Sequence, residues 1–290
     1  MTAGSPPPAG SPPHRAAVLG SPVSHSLSPA LHTAGFAAAG LRGWTYERIE
    51  CDGEHLPELV RASGPEWAGY SVTMPGKGAA AALADVASDR VAVLGVANTL
   101  FRGPSGWHAE NTDVDGVLGA LRSAGVIPHR VLVLGGGGTA RSVVAALAEL
   151  GVDSLVLAGR QPSSTADCVE LAGRLGLAAR TSDLSTDQIA SCSAEVDLVV
   201  STLPVGAADH LAGTLAGVPT LLDVLYHPWP TPLAAAGHAG RVTVTGLDML
   251  LHQAFRQFEL FTGQPAPMAA MRSGLLRATG ARIPLALGTG

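Results

Sequence analysis

Cysteine, aromatic residues and charge are all scarce in this chain. Its three cysteines, Cys51, Cys168 and Cys192, stand far apart among 290 residues. So odd and sparse a set supplies neither a disulfide framework nor a zinc-ligand spacing. It suits a reducing compartment, which we expect to be the cytoplasm. Charged residues make up only 14% of the chain, and the formal net charge is −5. That balance leaves no basic footprint for nucleic acid, although a small anionic substrate needs only local positive potential. No apolar run approaches the roughly 20 residues that cross a bilayer, so no membrane span is expected. The ten histidines are scattered without the spacing of a metal-ligand pair, so no metal is expected, and His25 and His252 read as structural.

What is present is apolar and small. Hydrophobic residues reach 47%, enough for a sizeable core, and 36 glycines punctuate them. Residues 1–14 are rich in Pro, Gly, Ala and Ser, lack the apolar core of a signal peptide, and read as a disordered tail. From there short apolar strands alternate with helices. Strands are expected near 16–20, 44–49, 69–73 and 97–101, with helices near 29–39, 56–62 and 77–84. The pattern resumes with a helix near 117–124, strands near 131–134, 155–158, 198–201 and 220–224, and helices near 140–150 and 246–263. Such alternation predicts an α/β protein with mainly parallel sheet.

The strand Val131-Leu132-Val133-Leu134 runs into Gly135-Gly136-Gly137-Gly138-Thr139-Ala140, a G-x-G-x-x-A match at a strand–turn–helix junction. Glycine permits the tight turn and close backbone approach to a pyrophosphate. Small Ala140 lets the helix pack on the sheet, and the helix N-terminus favours an anion. This context, rather than the glycines alone, points to a Rossmann-type dinucleotide-binding domain. The next strand ends Gly159-Arg160, where an NAD site usually has an acidic residue. An arginine there can pair with a 2′-phosphate, which points to NADP.

Other residues carry possible chemistry. Ser28-Pro29 is an ordinary N-cap followed by proline at the first helical position, yet it also sets the Ser26 and Ser28 hydroxyls where a carboxylate is stabilised. Lys77 follows a strand and a Pro-Gly turn, where a lysine can transfer a proton to a developing alkoxide. Asn98 and Asn111 flank expected strands and can donate to or accept from hydroxyls. Asp113 can hold a hydroxyl and pair with Lys77.

Taken in order, these segments resemble the shikimate dehydrogenase family. Gly20-Ser21-Pro22 with His25-Ser26-Leu27-Ser28-Pro29 is similar to its amino-terminal signature. Val72-Thr73-Met74-Pro75-Gly76-Lys77 is similar to its catalytic-lysine motif. Asn98-Thr99, Asn111-Thr112-Asp113, Asp223-Val224-Leu225-Tyr226 and Gly246-Leu247-Asp248-Met249-Leu250 with Gln253 resemble later motifs. The resemblance implies two α/β domains around a cleft: a substrate-binding catalytic domain from 15–116 and 246–290, and an NADP-binding domain inserted at 117–245. It implies NADPH-dependent reduction of 3-dehydroshikimate to shikimate, in a monomer or homodimer. Lys77 and Asp113 would be catalytic. Ser26 and Ser28 would bind the carboxylate, with Thr73, Asn98, Asp113, Gln253 and Tyr226 around the hydroxyls. Gly135, Gly136, Gly137, Gly138, Thr139, Ala140, Arg160 and Gly246 would hold the cofactor. Among the departures, Ser71 stands where asparagine is usual, and Ser164 stands where a basic residue often follows Arg160. Two alternatives remain: a relative acting on quinate or an amino analogue of shikimate, and a non-catalytic nucleotide-binding module.

Overall fold

The computed structural model describes residues 14–280. Of the expected tail, residues 1–13 lie outside the described residues. His14 pairs at the sheet margin, its N–H donating to the Glu66 carbonyl and its own carbonyl accepting from Thr45. The chain forms two compact units. One takes the chain up to Thr112 and again Ala254–Ala278; the other takes Asp113–Gln253.

In the first unit the elements run β1 (Arg15–Gly20), α1 (Ser28–Ala38), β2 (Thr45–Glu50), α2 (Leu56–Arg61), β3 (Trp67–Val72), α3 (Lys77–Leu83), β4 (Val86–Ala87), α4 (Asp89–Leu94), β5 (Thr99–Gly103) and β6 (Gly106–Glu110). The sheet order is β2-β1-β3-β5-β6-β4. Strands β1, β2 and β3 are parallel, as βαβ connections require. The mainly parallel expectation holds with one antiparallel strand: β5 is antiparallel to both β3 and β6, while β4 pairs parallel with β6. The cause is a hairpin turning at Gly103-Pro104-Ser105-Gly106, followed by alternating burial that sends Trp107 and Ala109 inward. Leu19, Tyr70, Val72, Leu100 and Trp107 form part of the core under this sheet.

The second unit holds α5 (Asp113–Ser123), β7 (Arg130–Leu134), α6 (Gly138–Glu149), β8 (Ser154–Gly159), α7 (Ala166–Arg174), β9 (Ala178–Asp183), α8 (Thr186–Ser193), β10 (Leu198–Ser201), β11 (Thr220–Asp223), α9 (Pro232–Ala235) and β12 (Val242–Thr245). All six strands are parallel, in the order β12-β11-β10-β7-β8-β9. Counted from β7 this is 3-2-1-4-5-6, the doubly wound order of a dinucleotide-binding fold, whose ligand crevice lies beyond the carboxyl ends of the strands at the reversal. Here the reversal falls between β7 and β10. Both strands are wholly buried apart from Arg130, which explains their unbroken apolar runs. Strand β9 is an edge with mostly polar, exposed residues, so no apolar run announced it.

Helix α10 (Gly246–Thr262) carries the chain back, its first part in the second unit and Ala254 onward in the first. Thr245 and Asp248 start it reciprocally: Thr245 Oγ1 accepts from the Leu247 and Asp248 amides, while Asp248 Oδ2 accepts from the Thr245 amide. Helix α11 (Met268–Thr279) follows. In the first unit α1, α10 and α11 pack closely. A Cβ on Gly274 would stand 2.6 Å from the Ala34 Cβ and 2.7 Å from the Ala30 carbonyl, and one on Gly35 would press on Phe258 and Met271.

Candidate active site

Parallel strands deliver their loops to one edge, so β1 and β3 place their following segments side by side. The Ser21 amide donates to the Met74 carbonyl, and the Thr73 amide to the Leu19 carbonyl. This brings the Gly20–Ser28 loop against the Thr73–Lys77 turn. Lys77 is half-buried at the start of α3, and its carbonyl accepts from Ala97, one residue before Asn98. Lys77 is also the only lysine in the chain. In a sequence that meets every other need for positive charge with arginine, that compositional signal singles it out.

Ser26 and Ser28 do meet, but not as an ordinary cap. Helix α1 begins at Ser28 without a side-chain cap bond. Instead Ser26 Oγ accepts from the Ser28 amide and donates to Ser28 Oγ, each at 3.3 Å. Arg48 grips the same loop by donating from Nε to the Ser26 carbonyl at 2.8 Å. Correcting the cap assignment therefore turns the two serines into a coupled hydroxyl pair. His25 is exposed rather than packed into the interior.

Behind these residues lies a buried polar network that sequence reasoning missed. Tyr46 Oη and Ser71 Oγ are 2.6 Å apart, and Ser71 Oγ donates to Gln257 Oε1 at 2.7 Å. Gln257 Nε2 donates to Thr99 Oγ1 at 3.0 Å and to the Asn98 carbonyl at 3.3 Å. Asn98 Oδ1 accepts from Thr99 Oγ1 at 2.9 Å and from the Thr112 amide at 2.7 Å. Asn111 Nδ2 donates to the Val96 carbonyl, so this asparagine closes the loop beside Asn98. Burial holds the Tyr46 hydroxyl well above the usual phenol range, so it stays neutral. The one available signal was Gln257, a turn beyond Gln253 on the same helix face.

The second unit carries the remaining candidates. Asp113 is buried and is the first residue of α5, where a carboxylate suits the helix N-terminus. Gln253 is buried, with Nε2 donating to the Leu250 carbonyl at 2.9 Å. Tyr226 is half-buried beyond β11, in a loop fixed by Asp223, which accepts from the Leu225 amide and from Thr231 Oγ1. Burial raises the Asp223 carboxyl above its ordinary range. A Cβ on Gly246 would overlap the Val224 carbonyl, so only glycine lets α10 begin against that loop. His252 is structural: its ring meets Ser123 Oγ at 3.0 Å, over Gly119.

The glycine turn separates into distinct physical roles. Gly135 has φ +111 and would overlap Thr202 Oγ1 if it carried a Cβ. Gly136 would overlap the Ser164 carbonyl oxygen, so the Pro162–Thr165 turn rests directly on it. Gly137, by contrast, has nothing within 4 Å of where its Cβ would stand. It is the N-cap of α6, and no side chain caps the helix start there. Ala140 is wholly buried against the sheet. This turn borders a cavity of about 880 Å³ that is also lined by Gly159, Arg160, Ser164, Asp183, Leu203 and Pro204. Arg160 is exposed at its rim. Ser164 Oγ is engaged with the Gln161 carbonyl, and Asp183 with Ser185. The cradle thus fits a dinucleotide by its open glycine backbone and helix start. Among the described residues, no cluster of His, Cys, Asp or Glu could hold a metal ion. None of their helices is long and apolar enough to cross a membrane.

Comparison with known proteins joins these separate observations. Residues 18–100 match the shikimate dehydrogenase substrate binding domain, and residues 246–275 match the shikimate 5′-dehydrogenase C-terminal domain. The chain is 37% identical to the shikimate dehydrogenase (NADP(+)) of Thermosynechococcus vestitus, over 91% of this chain and 95% of that protein. Among solved structures, the Mycobacterium tuberculosis shikimate dehydrogenase superposes with a TM-score of 0.86 and 50% identity, covering 91% of this chain and all of that one. The Thermus thermophilus shikimate 5-dehydrogenase in complex with NADP(H) and shikimate gives 0.77 and 32%, over 91% and 99%. A Corynebacterium glutamicum quinate dehydrogenase in complex with NAD gives 0.79 and 27%, over 92% and 100%. Motifs in order, a doubly wound second unit and likeness along nearly the whole chain lead to one conclusion: this protein belongs to the shikimate dehydrogenase family.

Proposed function

We propose that this protein catalyses the reversible, NADPH-dependent reduction of 3-dehydroshikimate to shikimate, a step of chorismate and aromatic amino-acid biosynthesis, as a cytoplasmic monomer or homodimer. The observation that carries the reading is the ordered motif set, Ser26 through Gln253, in a chain related over 91% of its length to an enzyme solved with NADP(H) and shikimate. In this reading residues 15–116 and 246–290 bind substrate and residues 117–245 bind NADP. The Ser26–Ser28 pair holds the substrate carboxylate. Thr73, Asn98, Asp113 and Gln253 hold the ring hydroxyls, with Tyr226 nearby.

Ketone reduction needs one hydride and one proton. Bound NADPH supplies the hydride. Lys77 supplies the proton through Nζ to the oxygen that becomes the alcohol, and in the reverse direction accepts it. Asp113 orients the Lys77 ammonium and a substrate hydroxyl. The amides at Gly137, Gly138 and Thr139 take the pyrophosphate, with Gly135, Gly136 and Ala140 shaping the turn. Arg160 takes the 2′-phosphate, and Gly246 lies where backbone approaches the nicotinamide. Retention of both Lys77 and Asp113 argues against a non-catalytic module, and the serine pair favours shikimate over quinate.

The test is absorbance at 340 nm with purified protein, crossing shikimate and quinate with NADP⁺ and NAD⁺. We expect kcat/KM to be highest, by tenfold or more, for shikimate with NADP⁺. Equal or higher values for quinate or NAD⁺ refute the assignment, as does absence of turnover.

A further inference from the structure

We propose that Gln257 is a positioning residue of the substrate site, whose buried carboxamide braces Asn98 through its carbonyl and through Thr99, and so holds in place the Asn98 donor to a substrate hydroxyl. The inference rests on the functional reading above and adds a residue that its motifs do not contain. An amide side chain can face either way, and its sense must be deduced from its partners. A backbone carbonyl only accepts, so the end of Gln257 that meets the Asn98 carbonyl is Nε2. Its Oε1 then faces Ser71, which must donate. With its single proton committed there, Ser71 accepts from Tyr46, whose oxygen is left to accept from the Ser28 side.

Thr99 Oγ1 accepts from Gln257 Nε2, so its own proton goes to Asn98 Oδ1. That oxygen also accepts from the Thr112 amide and lies 3.2 Å from Thr112 Oγ1. Asn98 Oδ1 is therefore saturated, and what this side chain can offer a bound molecule is Nδ2. The Thr112 amide can only donate, so it sets which end of Asn98 is the acceptor; Gln257, through the Asn98 carbonyl and the Thr99 hydroxyl, holds that side chain in place. Gln257 is 1% exposed and joins β3, the start of β5 and α10 in one network. Buried networks of this kind hold a single arrangement because every alternative leaves a polar group unpaired.

The experiment is steady-state kinetics on the full chain. Gln257→Met removes both ends of the amide at similar volume. Gln257→Glu keeps an acceptor for Ser71 but sets an acceptor against Thr99 and the Asn98 carbonyl. In both, KM for 3-dehydroshikimate should rise about tenfold, with kcat and KM for NADPH within twofold. Thr99→Val, an isosteric loss of the intervening hydroxyl, should give the same split, and it serves if the Gln257 variants fold poorly. In an Asn98→Ala background, Gln257→Met should change KM by less than twofold more, since the two act through one contact. An unchanged KM in folded single variants, or effects that multiply in the double variant, overturns the proposal. No shikimate turnover by the parent protein would instead overturn the functional reading.

Discussion

His32 should make this protein lose stability in acid well above the range where carboxylates protonate. Its ring is fully buried on α1, stacked on Tyr46 with centroids 4.3 Å apart and planes 6° apart, and ringed by Phe36, Phe258 and Phe261. Gln257 lies beside it, yet neither ring nitrogen makes a hydrogen bond of normal geometry within the described residues. Burial disfavours charge in such a place and the Gln257 side chain offsets only part of it, so the imidazole comes from 6.5 down to about 3. The sign follows from proton uptake. Below about pH 6.5 the unfolded imidazole binds a proton that the folded one refuses until about pH 3. Stability from this group is intact above 6.5 and falls through that window at up to ~1.4 kcal/mol per pH unit.

Between pH 7 and pH 5 the loss amounts to roughly 2 kcal/mol. Urea unfolding of the parent and of His32→Phe at both pH values isolates it. Three of the four tryptophans, Trp44, Trp67 and Trp107, lie in the same unit and report on it by fluorescence. Burial lowers His252 in the same direction and raises Asp223, while hydrogen bonds lower the exposed Asp52 and Asp183. All four titrate in both proteins and cancel in the difference. We expect the stability gap between variant and parent to shift by about 2 kcal/mol in favour of the variant on going to pH 5. Parallel pH dependence of the two proteins would refute the reasoning.

Other perturbations address the site. Lys77→Ala should lower kcat by about 10²–10⁴-fold with little change in substrate KM, and near-normal kcat would remove Lys77 from the proton transfer. Arg160→Ala should raise KM for NADPH about tenfold and leave that for NADH unchanged, the difference being a charge-assisted phosphate contact; equal effects on both cofactors would argue against it. Gly136→Ala and Gly137→Ala should separate folding from binding. The first drives a methyl into the Ser164 carbonyl and lowers Tm by several degrees, whereas the second, facing open space, leaves Tm nearly unchanged but weakens NADPH binding about tenfold or more. A fluorescence titration with NADPH beside a thermal melt reads both, and reversal of the two patterns would contradict the assigned roles.

Local features were legible along the chain. Apolar runs announced β1, β3, β7, β8, β10 and β11, because strands covered on both faces need no polar alternation. The glycine turn was legible because each of its residues meets a local demand, and Lys77 because a Pro-Gly turn follows its strand. Some local signals were present but unread: the Gly103–Gly106 hairpin, and the singularity of the one lysine. The polar edge β9 gave no hydrophobic pattern at all. What depends on partners distant in the chain emerged on folding. Ser71 and Gln257 meet across 186 positions, and Gln257 and Thr99 across 158. No periodicity encodes such a meeting, yet it holds Asn98 in place within the site. Likewise His32 reads as any helical histidine until four aromatic rings close around it. Residue types are written in the sequence, but the direction of a hydrogen bond and the solvation of a charge belong to the packed surroundings.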